Sequence, residues 1–360
     1  MARNAIRVLL VDDSPLALAV LRQMLSASPE IEVVGAATNG REALDLIPNL
    51  QPTLICTDYH MPGMNGLEFT QQVMERFPRP ILVVSSAVGA SDTDRAFALL
   101  AAGAVDVFPK PRGGQTADPL TAELFIKKVK IVAGVWVRGR TPREGTAPTA
   151  VLPRPVYRSP QASRSPQIVA IGASTGGPQA LQTILSQLPG RFSVPILCVQ
   201  HISSGFLPGL VSWLGAYFPG TVQIARPGEM PQPGHVYFPP ENTHLVIDDK
   251  GRMQASSAPP LGGHRPSVTA TFCAVAEFYK DTAVGVLLTG MGRDGGEGMQ
   301  ALALAGALTI AQDEATSVIY GMPKDAVERG AARVVLPVDA IARALIEAVG
   351  PSAHPYRDRS

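Results

Sequence analysis

The sequence predicts an α/β protein built from two doubly wound parallel sheets in tandem. Three observations lead there. Apolar, strand-like runs alternate with amphipathic stretches through residues 5–133 and again through 167–349, the pattern of parallel strands covered by helices. Between these regions, residues 139–166 (GRTPREGTAPTAVLPRPVYRSPQASRSP) show no apolar periodicity. Finally, three apolar runs each deliver a reactive side chain just past a strand. They are IVAIGAST at 168–175, PILCVQH at 195–201 and AVGVLLTGMGRDG at 283–295, and they end on or near Ser174, His201 and Asp294.

In the first region the strand IRVLLVDD leads into the helix PLALAVLRQMLSA. The strand IEVVGAAT, the helix GREALDLIPNL, the strand TLICTD and the helix GLEFTQQVMERF follow. The strand PILVVSS, the helix TDRAFALLAAG, the short strand AVDVF and the helix TAELFIKKVKIVAGVWV close the unit. Five strands and five helices in strict alternation fit one five-stranded sheet. Residues 134–166, the end of that last helix and the Pro/Ser/Arg-rich stretch, read as a flexible linker, because such a composition buries too little apolar surface to offset its ordering entropy. A proline-rich recognition segment is the alternative. Residues 167–349 form the second domain. Within it, GHVYFPPENTHLVIDD and GRMQASSA look like strands joined by turns, and a small antiparallel element beside the parallel sheet is expected. The polar tail 350–360 is expected to fray.

Composition narrows the function classes. The chain has 360 residues, is 46% apolar and only 17% charged, which suits two globular domains with substantial cores. A net charge of +1 leaves no electrostatic footprint for nucleic acid. Cys56, Cys198 and Cys273 are far apart, and the first two sit inside apolar runs. They read as reduced thiols rather than a disulfide or zinc set, which suits a cytoplasmic protein. Asp12 and Asp13 interrupt the only early apolar run, so no signal peptide is expected. No segment has the length to enter and cross a bilayer.

The first domain gathers acids at one sheet edge. Asp12 and Asp13 end the first strand, Asp58 the third, Ser85 the fourth and Lys110 the fifth. Three crowded carboxylates repel one another unless a cation binds them, and hard oxygen donors suit Mg²⁺. Such a metal would hold a phosphoryl group on Asp58, with Lys110 pairing with it and the Ser85 hydroxyl donating to it. Strand-end acids also serve as helix caps, the plainer reading of any one of them alone. With VDDSPLALAVL, TDYHMPGMNGLEF, VVSSA and FPKP, residues 5–130 resemble a response-regulator receiver domain. The resemblance implies that Asp58 accepts the phosphoryl group. It also implies that Asp13, Asp58 and the His60 backbone carbonyl bind Mg²⁺, with Asp12 acting through water. Asn65 stands where many receivers carry Asp. Val107 stands where many carry a switching aromatic, while the adjacent Phe108 should face the other way along its strand.

In the second domain, Gly172-Ala173-Ser174-Thr175-Gly176 has the G-x-S-x-G spacing of a nucleophile elbow. Alone, the pattern favours a helix-capping serine. His201 and Asp294 reverse that preference, because strand ends offering Ser, His and Asp argue for nucleophilic acyl transfer. Dinucleotide binding is disfavoured: the glycines do not spell G-x-G-x-x-G, and the second strand ends in Gln200-His201 rather than a ribose-binding acid. The order Ser, His, Asp also differs from that of the α/β-hydrolases.

That order, with IGASTGGPQAL, VQHISSGF, GHVYFPPENTHL, HRPSV, LLTGMGRDGGEGM and QDEATSVIYGMPKDA, resembles the bacterial chemotaxis protein-glutamate methylesterases of the CheB family. The resemblance implies hydrolysis of γ-glutamyl methyl esters on methyl-accepting chemoreceptors, deamidation of receptor glutamines, and a CheA-type histidine kinase as phosphodonor. It places an oxyanion donor at the backbone of Met291; Thr175 joins it by proximity to Ser174. No cofactor is implied for the hydrolysis itself. The HRPSV region departs from the usual pattern, with Thr269 at an acid position. His235 and His244 read as structural, and His264 as a site-wall or structural residue. An unphosphorylated receiver covering the catalytic sheet edge is the economical form of regulation; a phosphorylation-dependent scaffold with an idle triad is the competing class.

Overall fold

A computed structural model describes residues 5–86, 90–111, 118–135, 137 and 165–350 of the chain. The chain divides into two compact units, residues 1–158 and 159–360. Most of the segment expected as a linker, and the tail after Gly350, lie outside the described residues.

The first unit runs β1 (Ile6–Val11), α1 (Pro15–Ser26), β2 (Ile31–Ala37), α2 (Gly40–Leu50) and β3 (Leu54–Thr57), then α3 (Gly66–Arg76), β4 (Ile81–Ser85), α4 (Ala90–Ala102), β5 (Asp106–Pro109) and α5 (Pro119–Ala133). Its sheet is parallel with strand order β2-β1-β3-β4-β5. β3 and β4 are buried along their whole length, which is why their sequences are continuous apolar runs rather than alternating ones. Short polar side chains start the helices: Ser14 accepts from the Ala17 N–H, Asn39 from Glu42, and Asp118 from Thr121. Each satisfies a backbone donor that has no partner within its helix.

The second unit contains β6 (Ile168–Ala173), α6 (Gly177–Leu185), β7 (Ile196–Gln200), α7 (Leu207–Gly215), β8 (Thr221–Ile224) and β9 (His235–Phe238). There follow β10 (His244–Ile247), β11 (Met253–Ser256), α8 (Val268–Tyr279), β12 (Ala283–Leu287), α9 (Gly296–Leu304), β13 (Leu308–Gln312), α10 (Met322–Glu328), β14 (Val334–Leu336) and α11 (Val338–Val349). Seven strands form a parallel sheet in the order β14-β13-β12-β6-β7-β9-β8. β10 and β11 pair separately and antiparallel, His244 opposite Ser256 and Ile247 opposite Met253.

The antiparallel element is therefore smaller than the run of strands suggested. HVYF, in β9, belongs to the parallel sheet, with Val236 beside Ile196 of β7 and Val222 of β8. Locally HVYF and HLVI look alike; HLVI pairs with the strand that follows it, whereas HVYF pairs with β7, about 40 residues earlier, and with β8, and only those partners distinguish them. β8 carries a weak signal because it is a four-residue edge strand with no buried position. The hairpin packs over α8: Leu245 and Met253 join Val268, Phe272 and the sheet residues Leu197 and Val199 in one core.

Candidate active site

β6 lies in the middle of its sheet, with β7 on one side and β12 on the other. The chain first builds to one side through β7 and the edge strand β8, with β9 inserted between them, then crosses to β12 on the other side, so the strand order reverses at β6. In open α/β sheets a crevice forms at such a reversal, outside the carboxyl ends of the strands. Ser174 directly follows β6 and His201 directly follows β7; the His201 N–H donates to the Ala173 carbonyl at 3.0 Å, which fixes the two strand ends side by side. Asp294 comes from the loop after β12 and reaches His201 across the end of β6, its Oδ2 lying 2.9 Å from His201 Nε2.

Asp294 is held more tightly than a lone carboxylate beside a histidine. Its Oδ1 accepts from Ser267 Oγ at 2.8 Å and from the N–H groups of Thr269 and Gly295 at 3.0 Å each, while its Oδ2 accepts from the Val268 N–H at 2.7 Å. Residues 267–269 form the start of α8, so the carboxylate sits where the helix dipole favours an anion. Burial pushes the Asp294 carboxyl up. The His201 hydrogen bond and charge, with the Thr269 and Val268 N–H groups, overcome this and hold it well below the usual carboxylate range. An ionised carboxylate only accepts, so His201 Nε2 carries the proton. The ring's other nitrogen, Nδ1, is then the basic one. It is buried and has no hydrogen-bond partner, so the Ser174–His201 bond of a working triad is not made in this conformation. Catalytic bonds of this kind often tighten only when substrate binds. The His264 ring stacks on the His201 ring, centroids 4.1 Å apart and planes within 1°.

The nucleophile turn is set by its neighbours. α6 is capped by Gly176 at φ +77 without a side-chain bond, so Ser174 does not cap the helix and its hydroxyl is left for other work. Gln200 Nε2 donates to the carbonyls of both Ser174, at 2.7 Å, and His201, at 2.8 Å. With the Ser174 carbonyl turned toward Gln200, the Thr175 N–H of the same trans peptide points the opposite way. The loop after β12 is laced to this turn: Ser174 N–H donates to the Thr289 carbonyl, and Thr289 Oγ donates to the Thr175 carbonyl at 3.0 Å. A Cβ on Gly290 would lie 2.7 Å from Ser174 Cβ, so only glycine lets the loop pass this close. Met291 follows at the surface, 45% exposed.

The acid pocket of the first unit uses the same geometry. Strand order reverses at β1, with Asp12 and Asp13 just after β1 and Asp58 just after β3. Carboxylate oxygens of the three lie within 4.8 Å of one another. Lys110 Nζ stands 2.8 Å from both Asp12 Oδ2 and Asp58 Oδ2. Burial raises the Asp12 carboxyl above its ordinary value despite the lysine beside it. Ser85 Oγ is buried without a hydrogen-bond partner, and His60 is exposed. Asn65 caps α3, accepting from Leu67 and Glu68. Phe108 packs on Phe125 of α5 with centroids 5.0 Å apart, and Val107 is buried.

Comparison with known proteins follows the two units. The response regulator receiver domain profile matches residues 8–117, and the CheB methylesterase profile matches residues 169–345. A protein-glutamate methylesterase/protein-glutamine glutaminase of Nitrosospira multiformis is 42% identical over 96% of this chain and 97% of its own. The chain belongs to the CheB methylesterase family. A relative of the same description from Syntrophus aciditrophicus is 40% identical over 97% of this chain and 99% of its own. The crystal structure of the Thermotoga maritima CheB methylesterase catalytic domain, 40% identical, covers 51% of this chain and 99% of that one, with a TM-score of 0.50. Among the described residues, no helix is long and apolar enough to cross a membrane.

Within this CheB-family chain the sequence pattern singles out His201 and Asp294, and the structure joins them. The pattern does not single out what holds them: the Ser267 hydroxyl, the N–H groups of Val268 and Thr269, and Gln200. One signal exists for Ser267, since a serine just before the apolar run VTATFCAVAEF marks a helix start. Backbone donors leave no mark in residue identity. Thr269, at the departing position, receives the Gly295 N–H on its Oγ at 2.8 Å, so the position still helps shape the Asp294 loop.

Proposed function

We propose that the second unit is a serine esterase that hydrolyses γ-glutamyl methyl esters of chemoreceptors, releasing methanol. The observation that carries this reading is the Asp294–His201 pair at the switch point, with the unpartnered Nδ1 of His201 at the strand end beside Ser174. Ser174 Oγ attacks the ester carbonyl as its proton passes to His201 Nδ1. The resulting imidazolium is stabilised by Asp294 through Nε2–H. The negative charge on the former carbonyl oxygen is met by backbone N–H groups, those of Thr175 and Met291. Collapse breaks the C–O bond, and Nδ1 returns its proton to the departing methoxide, giving methanol. Water then repeats the sequence on the acyl-enzyme and leaves a glutamate carboxylate and free Ser174. A glutamine side chain reacts by the same path with ammonia as the leaving group, in keeping with the double description of the relatives.

The first unit is the regulator. Asp58 accepts a phosphoryl group from a CheA-type histidine kinase, Lys110 pairs with it, and the unpartnered Ser85 hydroxyl donates to it. Asp13, Asp58 and the His60 carbonyl, with Asp12 through water, would hold Mg²⁺; the clustered hard donors fit that ion. When bound, the ion supplies positive charge that offsets the phosphoryl oxygens. The test measures methanol from a methylated receptor preparation with and without acetyl phosphate and Mg²⁺. Wild type should release methanol and respond to the phosphodonor. Ser174→Ala should release none, and Asp58→Asn should lose the response but keep a basal rate. Release by a folded Ser174→Ala protein would falsify the assignment.

A further inference from the structure

We infer that His244, on the small antiparallel hairpin, is a positioning residue for the hydrolysis: it holds the turn that aims Asp294 at His201. The inference rests on the esterase reading above and deepens it.

His244 is 2% exposed and lies on β10. Its Nε2 is 3.2 Å from the Pro259 carbonyl, and its Nδ1 receives the Ser267 N–H at 3.1 Å. Both roles are forced. A carbonyl only accepts, so Nε2 carries the proton; an amide N–H only donates, so Nδ1 offers its lone pair. The ring thus holds one tautomer and one orientation. Ser267 is the cap of α8 and sends its Oγ to Asp294 Oδ1 at 2.8 Å, while the next two residues donate their N–H groups to the same carboxylate. A continuous path runs from His244 through Ser267 and Asp294 to His201 Nε2.

The hairpin is tied to this helix start a second time: Thr271 Oγ donates to the Leu245 carbonyl at 2.7 Å. Packing of Leu245 and Met253 against Val268 and Phe272 would by itself seat the helix. Packing is non-directional, however, and it leaves the rotation of the Ser267 peptide open. The hydrogen bond to His244 Nδ1 sets that rotation. It matters because a carboxylate surrounded by several donors is aimed by their directions, and catalysis is sensitive to misplacement of well under a bond length.

Two substitutions separate the ring's two bonds. Asparagine places an acceptor near the position of Nδ1 and gives up the donor to Pro259. Glutamine reaches the position of Nε2 and gives up the acceptor for Ser267. Full-length His244→Asn and His244→Gln are compared with wild type for kcat and KM of methanol release, for the rate of Ser174 phosphonylation by a fluorophosphonate, and for melting temperature. The glutamine variant should lose about tenfold or more in kcat and labelling rate, with KM within about twofold. The asparagine variant should stay within about threefold of wild type in both. Both should lose melting temperature to a similar degree, since both remove ring packing. Equal kinetics for the two variants, or a glutamine variant with wild-type kcat, overturns the positioning role. The fluorophosphonate keeps the test independent of the substrate. A wild type that labels at Ser174 but releases no methanol refutes the substrate reading while the labelling rates still decide the role of His244. A wild type that does neither refutes the triad and the role together.

Discussion

Each unit of this chain places its chemistry where its parallel sheet reverses strand order, and each uses a buried aspartate there; the two aspartates are tuned in opposite directions. Asp12 sits among other carboxylates with one lysine, and burial raises its carboxyl. Asp294 is buried as well, but a histidine and the start of a helix hold its carboxyl far down. The sheet edge therefore does not set the electrostatics; the donors at that edge do. On the function proposed above, a pocket short of donors takes in a cation and a phosphoryl group. A carboxylate saturated with N–H donors stays ionised and can stabilise an imidazolium next to it.

The largest expected effect tests whether the two sites are chemically separate. Ser174→Ala should lower methanol release by several orders of magnitude, as removal of a triad nucleophile does. Labelling of Asp58 by acetyl phosphate should be unchanged, as read by intact-mass measurement. Loss of both activities together in a folded variant would break the comparison. Next in size is Asp294→Asn, which keeps shape but removes the charge beside His201. Its kcat should fall on the order of a thousandfold or more, with the mutant checked for folding by circular dichroism.

How far each site is legible in the sequence depends on how its parts are encoded. Ser174, His201 and Asp58 are readable because each ends a continuous apolar run, and a buried strand ends where the run ends. Asp294 is readable from its flanking glycines, which mark a backbone bent around something. The support for Asp294 is not readable in the same way. Val268 and Thr269 act through N–H groups that every residue but proline owns, and His244 acts from a hairpin that local pattern does not separate from β9. Gln200 stands out only as the residue where a nucleotide-binding acid is missing.

A smaller effect concerns how the units depend on each other. The fragment 167–360 should fold alone, as an isolated catalytic domain of a Thermotoga maritima relative does in a crystal. Its methanol release should exceed that of the unphosphorylated full-length chain by about two- to tenfold, a shift of about 1 kcal/mol, and should ignore acetyl phosphate. A folded fragment slower than the unphosphorylated whole would mean that the receiver helps to assemble the site or recruit the receptor instead of covering it.

The smallest effect sharpens the electrostatic contrast itself. A carboxyl held below its unfolded value of about 4 stabilises the fold above that pH and loses the contribution as pH falls through the folded value. Asp294→Asn should therefore lower the melting temperature of the catalytic unit at pH 7, and the difference from wild type should shrink below about pH 4. A carboxyl held above its unfolded value works the other way: ionised Asp12 costs stability at neutral pH, and acid relieves it. Asp12→Asn should raise the receiver's melting temperature at pH 7 in the absence of divalent cations. Differential scanning calorimetry across the acidic and neutral range reads both; shifts of the same sign would end the contrast.

The sequence by itself determined the two doubly wound sheets, their five-and-five alternation in the first unit, and the residues that stand at the strand ends. Those features depend on burial periodicity and on glycine, both written residue by residue. Tertiary structure alone decided that β9 joins the parallel sheet, that Ser267 to Thr269 wrap the Asp294 carboxylate, and that His201 turns its Nε2 toward Asp294 and leaves Nδ1 as the basic nitrogen. Each of these depends on hydrogen-bond partners distant in sequence, whose directions exist only once the chain has packed.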